Sequence, residues 1–362
     1  MKICCLLLTP PADPGSRYGV YSLLPDLREC GIDVSVYPFW DPNAYSKIRI
    51  NGPRSAAYVL ELSRSYLRRL SEIVKASRAD AVWIQRYAAP MGTGLLGGVL
   101  KAAGRPLVFG YDDAVYLPSG KKNLLRTWFG GWRDINWMIS NSREVIARNG
   151  GLAAYARRYN RRVSLIPVGI DVSHYDHVLA DLGRKSDADS TLILGWIGTP
   201  ATAPYLELIR PALEKLGREG RVELRVIGGS GIHFKNVLVK NIVWNQETEV
   251  QELARADIGI APMPDDEWAR GKSGLKVIQY MGCGLPVVAS AAGAHPELMT
   301  SGKHGFLVQS TDEWLQALRT LRNDSNLRSA MGQAGRQTVR LKHDFPLIAR
   351  AHATVFFRLG RS

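Results

Sequence analysis

The stretch RGKSGLKVIQYMGCGLPVVAS, from Arg270 to Ser290, decides how the chain is read. Two cations lead into Gly274. An apolar pattern of helical period follows, and GCGLP then turns the chain into the continuous apolar run LPVVAS. A helix followed at once by a strand apolar at every position is a unit of a parallel sheet covered on both faces. Gly274 lets a ligand approach the backbone. The free N–H groups of a helix starting at Gly274–Leu275, with Lys272 and Lys276 beside them, suit a diphosphate. Gln279, one turn beyond Lys276, is placed to hydrogen-bond a ribose. An ordinary α/β unit with surface lysines accounts for the same residues without a ligand.

The same rhythm extends outward. KICCLLL, IDVSVYPF, ADAVWIQRY, PLVFGYDD, NWMISNS and VSLIPVG read as strands, with helix-length segments such as Tyr18–Cys30 and Ala56–Ser77 between them. The rhythm stops in the polar stretch Gly169–Thr191. It restarts with LILGWIG, VELRVIGG, KNIVWNQ, ADIGIAPM, LPVVAS and GFLV. A chain of 362 residues exceeds one ordinary core. The expected architecture is α/β, with two doubly wound Rossmann-like domains. The first spans 1–171, a linker 172–190 follows, and the second spans 191–340. A last helix within 341–362 is expected to pack back toward the first domain.

The apolar content of 46% and charged content of 22% are those of a soluble globular protein. No run approaches the length of a membrane-spanning helix. MKICCLLLTPP is too short for a signal peptide and reads as a buried first strand. Cys4, Cys5, Cys30 and Cys283 lack metal-ligand spacing and a disulfide framework, which suits a reducing cytoplasm. The net charge is +14, and residues 1–180, with 24 Lys/Arg and 14 Asp/Glu, carry +10 of it. A basic first half points to an anionic partner, with plain solubility as the alternative.

Further motifs sit at expected strand ends. In LGWIGTPATAPYLELI a strand ends at Gly198, and Thr199 or Thr202 can cap a helix with Pro204 in its first turn. This is not GxGxxG, so a dinucleotide fingerprint is absent. Val243, Trp244 and Asn245 close another strand and are candidates to meet a nucleotide base. In FGYDDAVYLP, Asp112 and Asp113 follow a strand and are the catalytic candidates: one to take a proton, the other to steady developing positive charge. Gly15, Ser16 and Arg17 in the loop PGSRYG, and Arg86 in IQRYAAP, are acceptor-binding candidates. Two stretches have the composition of a lipid interface. SRSYLRRLSEIVKASR sets Arg64, Arg68 and Lys75 on one helical side and Leu67, Leu70 and Val74 on another. GKKNLLRTWFGGWRD mixes Lys121, Lys122, Arg126 and Arg133 with Trp128, Phe129 and Trp132.

DIGIAPMPDDEWARGKSGLKVIQYMGCGLPVVASAAGAHPEL resembles the donor-site region of family 4 glycosyltransferases. SLIPVGID, ISNS, PGSRYGVYSLLPDLRECGIDV and GKHGFLV with DEWLQALRTL resemble further segments of that family. The resemblance implies the GT-B fold, with two domains facing across a cleft, and a retaining, metal-independent transfer without cofactor. The family pattern has two Glu residues here; Gln279 takes the place of the second and Gly271 that of the first. Lys272 or Glu267 is then expected to meet the donor sugar. The implied activity moves a sugar from a nucleotide-diphosphate sugar in the second domain to a hydroxyl of a glycan or lipid-linked acceptor in the first. That suits cell-surface glycan or lipid-linked saccharide synthesis by a cytoplasmic protein, peripheral on the inner face of an anionic membrane, with no nucleic-acid partner. Two other readings stay open: a GT-B sugar-nucleotide epimerase and a non-catalytic nucleic-acid-binding protein.

Overall fold

A computed structural model describes residues 1–51, 56–117, 132–182 and 191–360. The chain divides into two units. The first comprises Met1–Val168, Gly271–Ser273 and Phe345–Ser362; the second comprises Gly169–Arg270 and Gly274–Asp344.

The first unit is built on a six-stranded sheet: β1 (Lys2–Leu7), β2 (Asp33–Pro38), β3 (Ala81–Gln85), β4 (Leu107–Tyr111), β5 (Glu144–Ala147) and β6 (Val163–Leu165). Their order is β2-β1-β3-β4-β5-β6, and all pairings are parallel. β3 and β4 are buried along their whole length, which is why they read as unbroken apolar runs. Cys4 and Cys5 are both buried for the same reason. Trp83 on β3 packs against His352 and Phe356 of the helix Phe345–Leu359, with ring centroids 5.5 and 5.6 Å away.

The second unit repeats the plan with β7 (Leu192–Ile197), β8 (Val222–Ile227), β9 (Leu238–Ile242), β10 (Ile258–Ala261), β11 (Val287–Ser290) and β12 (Gly305–Val308). The order is β12-β11-β10-β7-β8-β9, again parallel throughout. Each sheet grows outward from its first strand and then resumes on that strand's other side. The switch points therefore lie between β1 and β3 and between β7 and β10, where open parallel sheets hold ligands beyond the strand ends.

Several local expectations are corrected. NWMISNS is not a strand: Trp132–Asn141 is a helix whose core face is Ile135, Met138 and Ile139, and the strand is the next run, EVIA. Tyr18–Cys30 is broken into the end of the helix Pro14–Gly19, a 3-10 turn and the short helix Leu24–Glu29. The stretch expected as a linker begins with the helix Val172–Leu182, which buries Val172, Tyr175 and Val178; the rest of it, 183–190, lies outside the described residues. β7 ends at Ile197. The following element is a 3-10 helix, Ala203–Ile209, with no side-chain cap from Thr202, whose hydroxyl instead donates to the Thr199 carbonyl at 3.1 Å.

Candidate functional site

In the first unit the loop after β1 folds into the helix Pro14–Gly19, not the open loop expected from PGSRYG. Asp13 caps it, accepting from the Ser16 amide at 3.1 Å, and Pro14 fits the first turn. Ser16 is further held by the Thr9 hydroxyl at 2.7 Å. Arg17 is 5% exposed, with its guanidinium carbon 4.8 Å from the Tyr18 ring centroid, so it is packed into the fold. Arg86 directly follows β3 and adopts φ +58°, a left-handed conformation that costs energy for a side chain with Cβ. Its amide donates to the Gly110 carbonyl at 2.7 Å. Gly15 makes room for it: a Cβ there would lie 2.9 Å from Arg86 Nη2.

Arg86 faces the two candidate carboxylates at the end of β4. Its Nε donates to Asp112, and its Nη2 lies 2.8 Å from Asp113 Oδ2. Lys272 Nζ donates to Asp113 Oδ1 at 2.9 Å, and the Asn149 amide donates to the Lys272 carbonyl at 2.9 Å. Burial pushes the Asp112 carboxyl above the ordinary carboxylate range, against the pull of Arg86. Burial also works against the Arg86 charge, but Asp112 and Asp113 outweigh it and raise its pKa above the usual value. Of the two carboxylates, Asp113 is the accessible one, at 18% side-chain exposure against 6% for Asp112.

Behind this cluster stands Arg148, just past β5, which the sequence reading passed over. It is buried, donates to the Gly19 carbonyl at 2.9 Å and reaches His352 Nε2 at 3.3 Å. Its position at a strand end was the one available signal.

In the second unit three chain turns converge at the ends of β7, β8 and β9. Gly228, at φ +82°, has no room for a side chain: a Cβ would lie 2.3 Å from the Gly198 carbonyl oxygen and 3.2 Å from Trp244 Cβ. Gly198, Gly228 and Trp244 therefore form one surface, with Thr199 exposed beside them. Trp244 donates its indole N–H to Glu249 at 2.5 Å. Asn245 turns its own backbone, accepting from the Glu247 amide at 2.9 Å, and Val243 is 90% exposed.

The quoted helix runs Leu275–Gly282, with Gly274 at its N-cap in the left-handed region, φ +71°. Lys276 in its first turn holds Nζ 4.6 Å from the Trp196 ring centroid on β7. That stacking aims a cation at the switch point. Tyr280, one turn on, places its hydroxyl between the two strands there, accepting from the Ile197 amide at 3.1 Å and donating to the Ile260 carbonyl at 3.0 Å. Leu275 is half-buried and Gln279 is buried, at 3% exposure. Glu267 is exposed, in the first turn of the helix Glu267–Arg270.

Tyr280 and His295 were not singled out from sequence. His295 is buried, and its Nδ1 donates to the Ser290 carbonyl at 2.9 Å, which leaves Nε2 as an acceptor. Burial brings it down to about 4, aided by the Lys276 charge and opposed by the Ser290 carbonyl.

Of the two lysines expected to hold a diphosphate, Lys272 is paired with Asp113 and Lys276 lies over the Trp196 ring. Of the stretch expected to meet lipid, Lys121, Lys122, Arg126, Trp128 and Phe129 lie outside the described residues; Trp132 opens a helix. Among the described residues no group of three or more His, Cys, Asp or Glu is arranged to hold a metal ion.

Residues 15–174 match the profile of glycosyltransferase family 4, and residues 192–324 match that of glycosyl transferases group 1. The chain belongs to this glycosyltransferase family. It is 27% identical over 196 residues to a D-inositol 3-phosphate glycosyltransferase of Corynebacterium jeikeium, covering 47% of this chain and 46% of that protein. It is 22% identical over 311 residues to a GDP-mannose-dependent monoacylated alpha-(1-6)-phosphatidylinositol monomannoside mannosyltransferase of Corynebacterium glutamicum, covering 75% and 74%. Its matches span about half the length of most of these curated relatives. The solved structure of Anabaena HepE in complex with UDP-glucose superposes with a TM-score of 0.70 at 16% identity over 99% of this chain and 100% of that one, a likeness of fold.

Proposed function

We propose that the protein is a retaining glycosyltransferase that moves a sugar from a nucleoside-diphosphate sugar to an acceptor hydroxyl. The observation that carries this reading is the second unit's switch point. There the N-terminus of the helix Leu275–Gly282, the Lys276 ammonium and the glycine surface of Gly198 and Gly228 stand at the strand ends. Helix N-terminal amides and a lysine supply the positive field that a leaving diphosphate requires. Trp244 and Asn245 border the glycine surface on the side suited to the base. The GDP-mannose dependence of one relative and the UDP-glucose bound to HepE support a nucleotide-sugar donor.

The acceptor belongs to the first unit in this reading. Asp113 is the group placed to orient or deprotonate the hydroxyl, and Asp112 fixes Arg86. The relatives named for inositol phosphate and phosphatidylinositol mannoside acceptors support an anionic or lipid-linked acceptor here. We extend the proposal to a place of action: the anionic inner face of a membrane, held peripherally. No helix among the described residues is long and apolar enough to cross a membrane, and the first half carries most of the net charge. Metal-free, cofactor-free transfer is part of the proposal.

The direct test is a thermal-shift screen of UDP, GDP and their sugars, followed by product analysis with the donor that binds. Stabilisation by a nucleoside diphosphate is expected, and no shift with any of them would overturn the donor site.

A further inference from the structure

The first unit carries an uncovered apolar stripe. On the helix Ala56–Ala76, Val59, Leu60, Leu67, Leu70 and Val74 are 60%, 52%, 70%, 60% and 56% exposed. At 3.6 residues per turn these five fall within roughly 100° of arc and run for about 22 Å along the axis. The opposite side of the same helix is the packed one. Glu61, Ser65, Arg69, Glu72, Ile73 and Ala76 are buried there, and Arg69 donates to the carbonyls of Tyr37 and Leu7. The helix Thr93–Ala102, which packs against it, adds Leu95 at 74% and Val99 at 51% exposure, four residues apart and so on one face. A monomeric surface rarely leaves so much aliphatic area open without a partner.

Charge decides which partner. Arg64, at 63% side-chain exposure, and Lys75 border the stripe, and Arg78 and Lys101 are exposed at the ends of the two helices. Neither helix has an exposed carboxylate. Glu61 and Glu72, their only acids, are buried and paired, Glu61 with Lys47 and, at 3.7 Å, with Arg64, and Glu72 with Arg68 and Arg69. A second copy of the chain would bring cation against cation around the stripe, which disfavours self-pairing. An aliphatic stripe with a mainly basic border, its nearest acids being Asp80 beyond Arg78 and Asp41 paired with Arg68, instead fits lipid acyl chains below a layer of phosphate headgroups.

We propose that this face, made by the outward sides of Ala56–Ala76 and Thr93–Ala102, is the surface by which the protein docks on an anionic phospholipid bilayer. This rests on the membrane placement proposed above and assigns it to described residues. The helix lies in the headgroup plane, with Leu67, Leu70 and Val74 entering the acyl boundary. Arg64 and Lys75 then reach the phosphates, their stems lying along the interface.

The test is co-sedimentation of the full chain with phosphatidylglycerol–phosphatidylcholine vesicles at low and high salt, beside pure phosphatidylcholine. The wild type is expected to bind only the anionic vesicles, and less with salt. The triple variant Leu67→Ser, Leu70→Ser, Val74→Ser should lose at least about tenfold in partition, as expected from the apolar area removed. Arg64→Glu with Lys75→Glu should abolish most of the salt dependence. Binding of UDP should be unchanged in both. A wild type that ignores anionic vesicles overturns the membrane placement and this face together. A wild type that binds, with both variants binding equally well, overturns this face alone. A wild type that is a dimer in light scattering, made monomeric by the triple variant without vesicle dependence, assigns the stripe to a second copy and also overturns it. Should the triple variant misfold by circular dichroism, Leu70→Cys carrying a polarity-sensitive dye decides: no blue shift on anionic vesicles overturns the proposal.

Discussion

Arg86, half-buried and in a left-handed backbone conformation, forms an ion pair with the buried Asp112 at the C-terminal edge of β3 and β4. The pair is one-sided in its consequences. Arg86→Ala leaves the Asp112 carboxylate buried without its main counter-charge, and a loss of about 3–5 kcal/mol in urea unfolding is expected. Asp112→Asn removes the charge but keeps the shape, and Arg86 still has Asp113, so a smaller loss of about 1–3 kcal/mol is expected. Equal losses in the two variants would show that Arg86 does not serve to compensate Asp112.

His352 predicts a pH dependence. Its Nδ1 donates to the Ile348 carbonyl at 2.8 Å, and Nε2 faces the Arg148 guanidinium at 3.3 Å. Burial first, and Arg148 second, bring its pKa from 6.5 to about 3. Below 6.5 the unfolded chain takes up a proton that the folded protein refuses, so stability is full above that pH and declines as pH falls toward 3. By about pH 5 this group alone should cost about 2 kcal/mol. His352→Gln should flatten the fall in melting temperature between about pH 7.5 and pH 5. An unchanged slope would show that His352 is not the residue responsible.

The alternation of apolar runs and helices carried the fold because parallel strands buried on both faces leave a strong local mark, as in AVWIQ and LVFGY. NWMISNS misled for a physical reason. A short apolar run on a helix's core face looks like a strand until the next strand, EVIA, is recognised. The candidate site was legible where it depends on local chemistry: the Gly274 start, Lys276, and the adjacent Asp112 and Asp113. It was illegible where it depends on distance along the chain. Arg148 meets His352 across 204 residues, and the Tyr280 hydroxyl joins strands that are 63 residues apart at Ile197 and Ile260. No periodicity or motif records such meetings.

Gly228 tests the glycine surface. Its φ of +82° disfavours any side chain, and a Cβ would strike the Gly198 carbonyl oxygen. Gly228→Ala should lower stability by about 1–3 kcal/mol and abolish UDP binding at concentrations that saturate the wild type. Gly231, also at positive φ but with open space around it, is the control: its Ala variant bears the conformational strain without the clash. Equal UDP affinity in Gly228→Ala and Gly231→Ala would remove Gly228 from the donor surface.

In the proposed reaction Asp113 and Asp112 take different parts. Asp113 is the more accessible, and its two cations, Arg86 and Lys272, hold it from different sides. Asp113→Asn should keep UDP affinity and lose at least about a hundredfold in turnover, as for a group that handles a proton. Asp113→Asn with full turnover would exclude it, leaving Glu267 as the next carboxylate to test.

Lys276 and Trp196 make the last prediction. An ammonium 4.6 Å from an indole centroid is held by the ring face, so the lysine is oriented before any ligand arrives. Pre-orientation matters because a free lysine gives up rotamer freedom when it grips a phosphate. Lys276→Ala removes both the charge and its aim, and should weaken UDP binding by about 1.5–3 kcal/mol, the range for a hydrogen bond to a charged group. Trp196→Phe keeps a ring face with a weaker hold on the cation, and should weaken UDP by less than Lys276→Ala. In the double variant the Trp196 effect should vanish, because the ring acts on the phosphate only through the lysine. Isothermal titration of the four proteins measures this coupling. Additive losses would mean that Trp196 supports the site by packing alone, and an unchanged affinity in Lys276→Ala would place the diphosphate elsewhere.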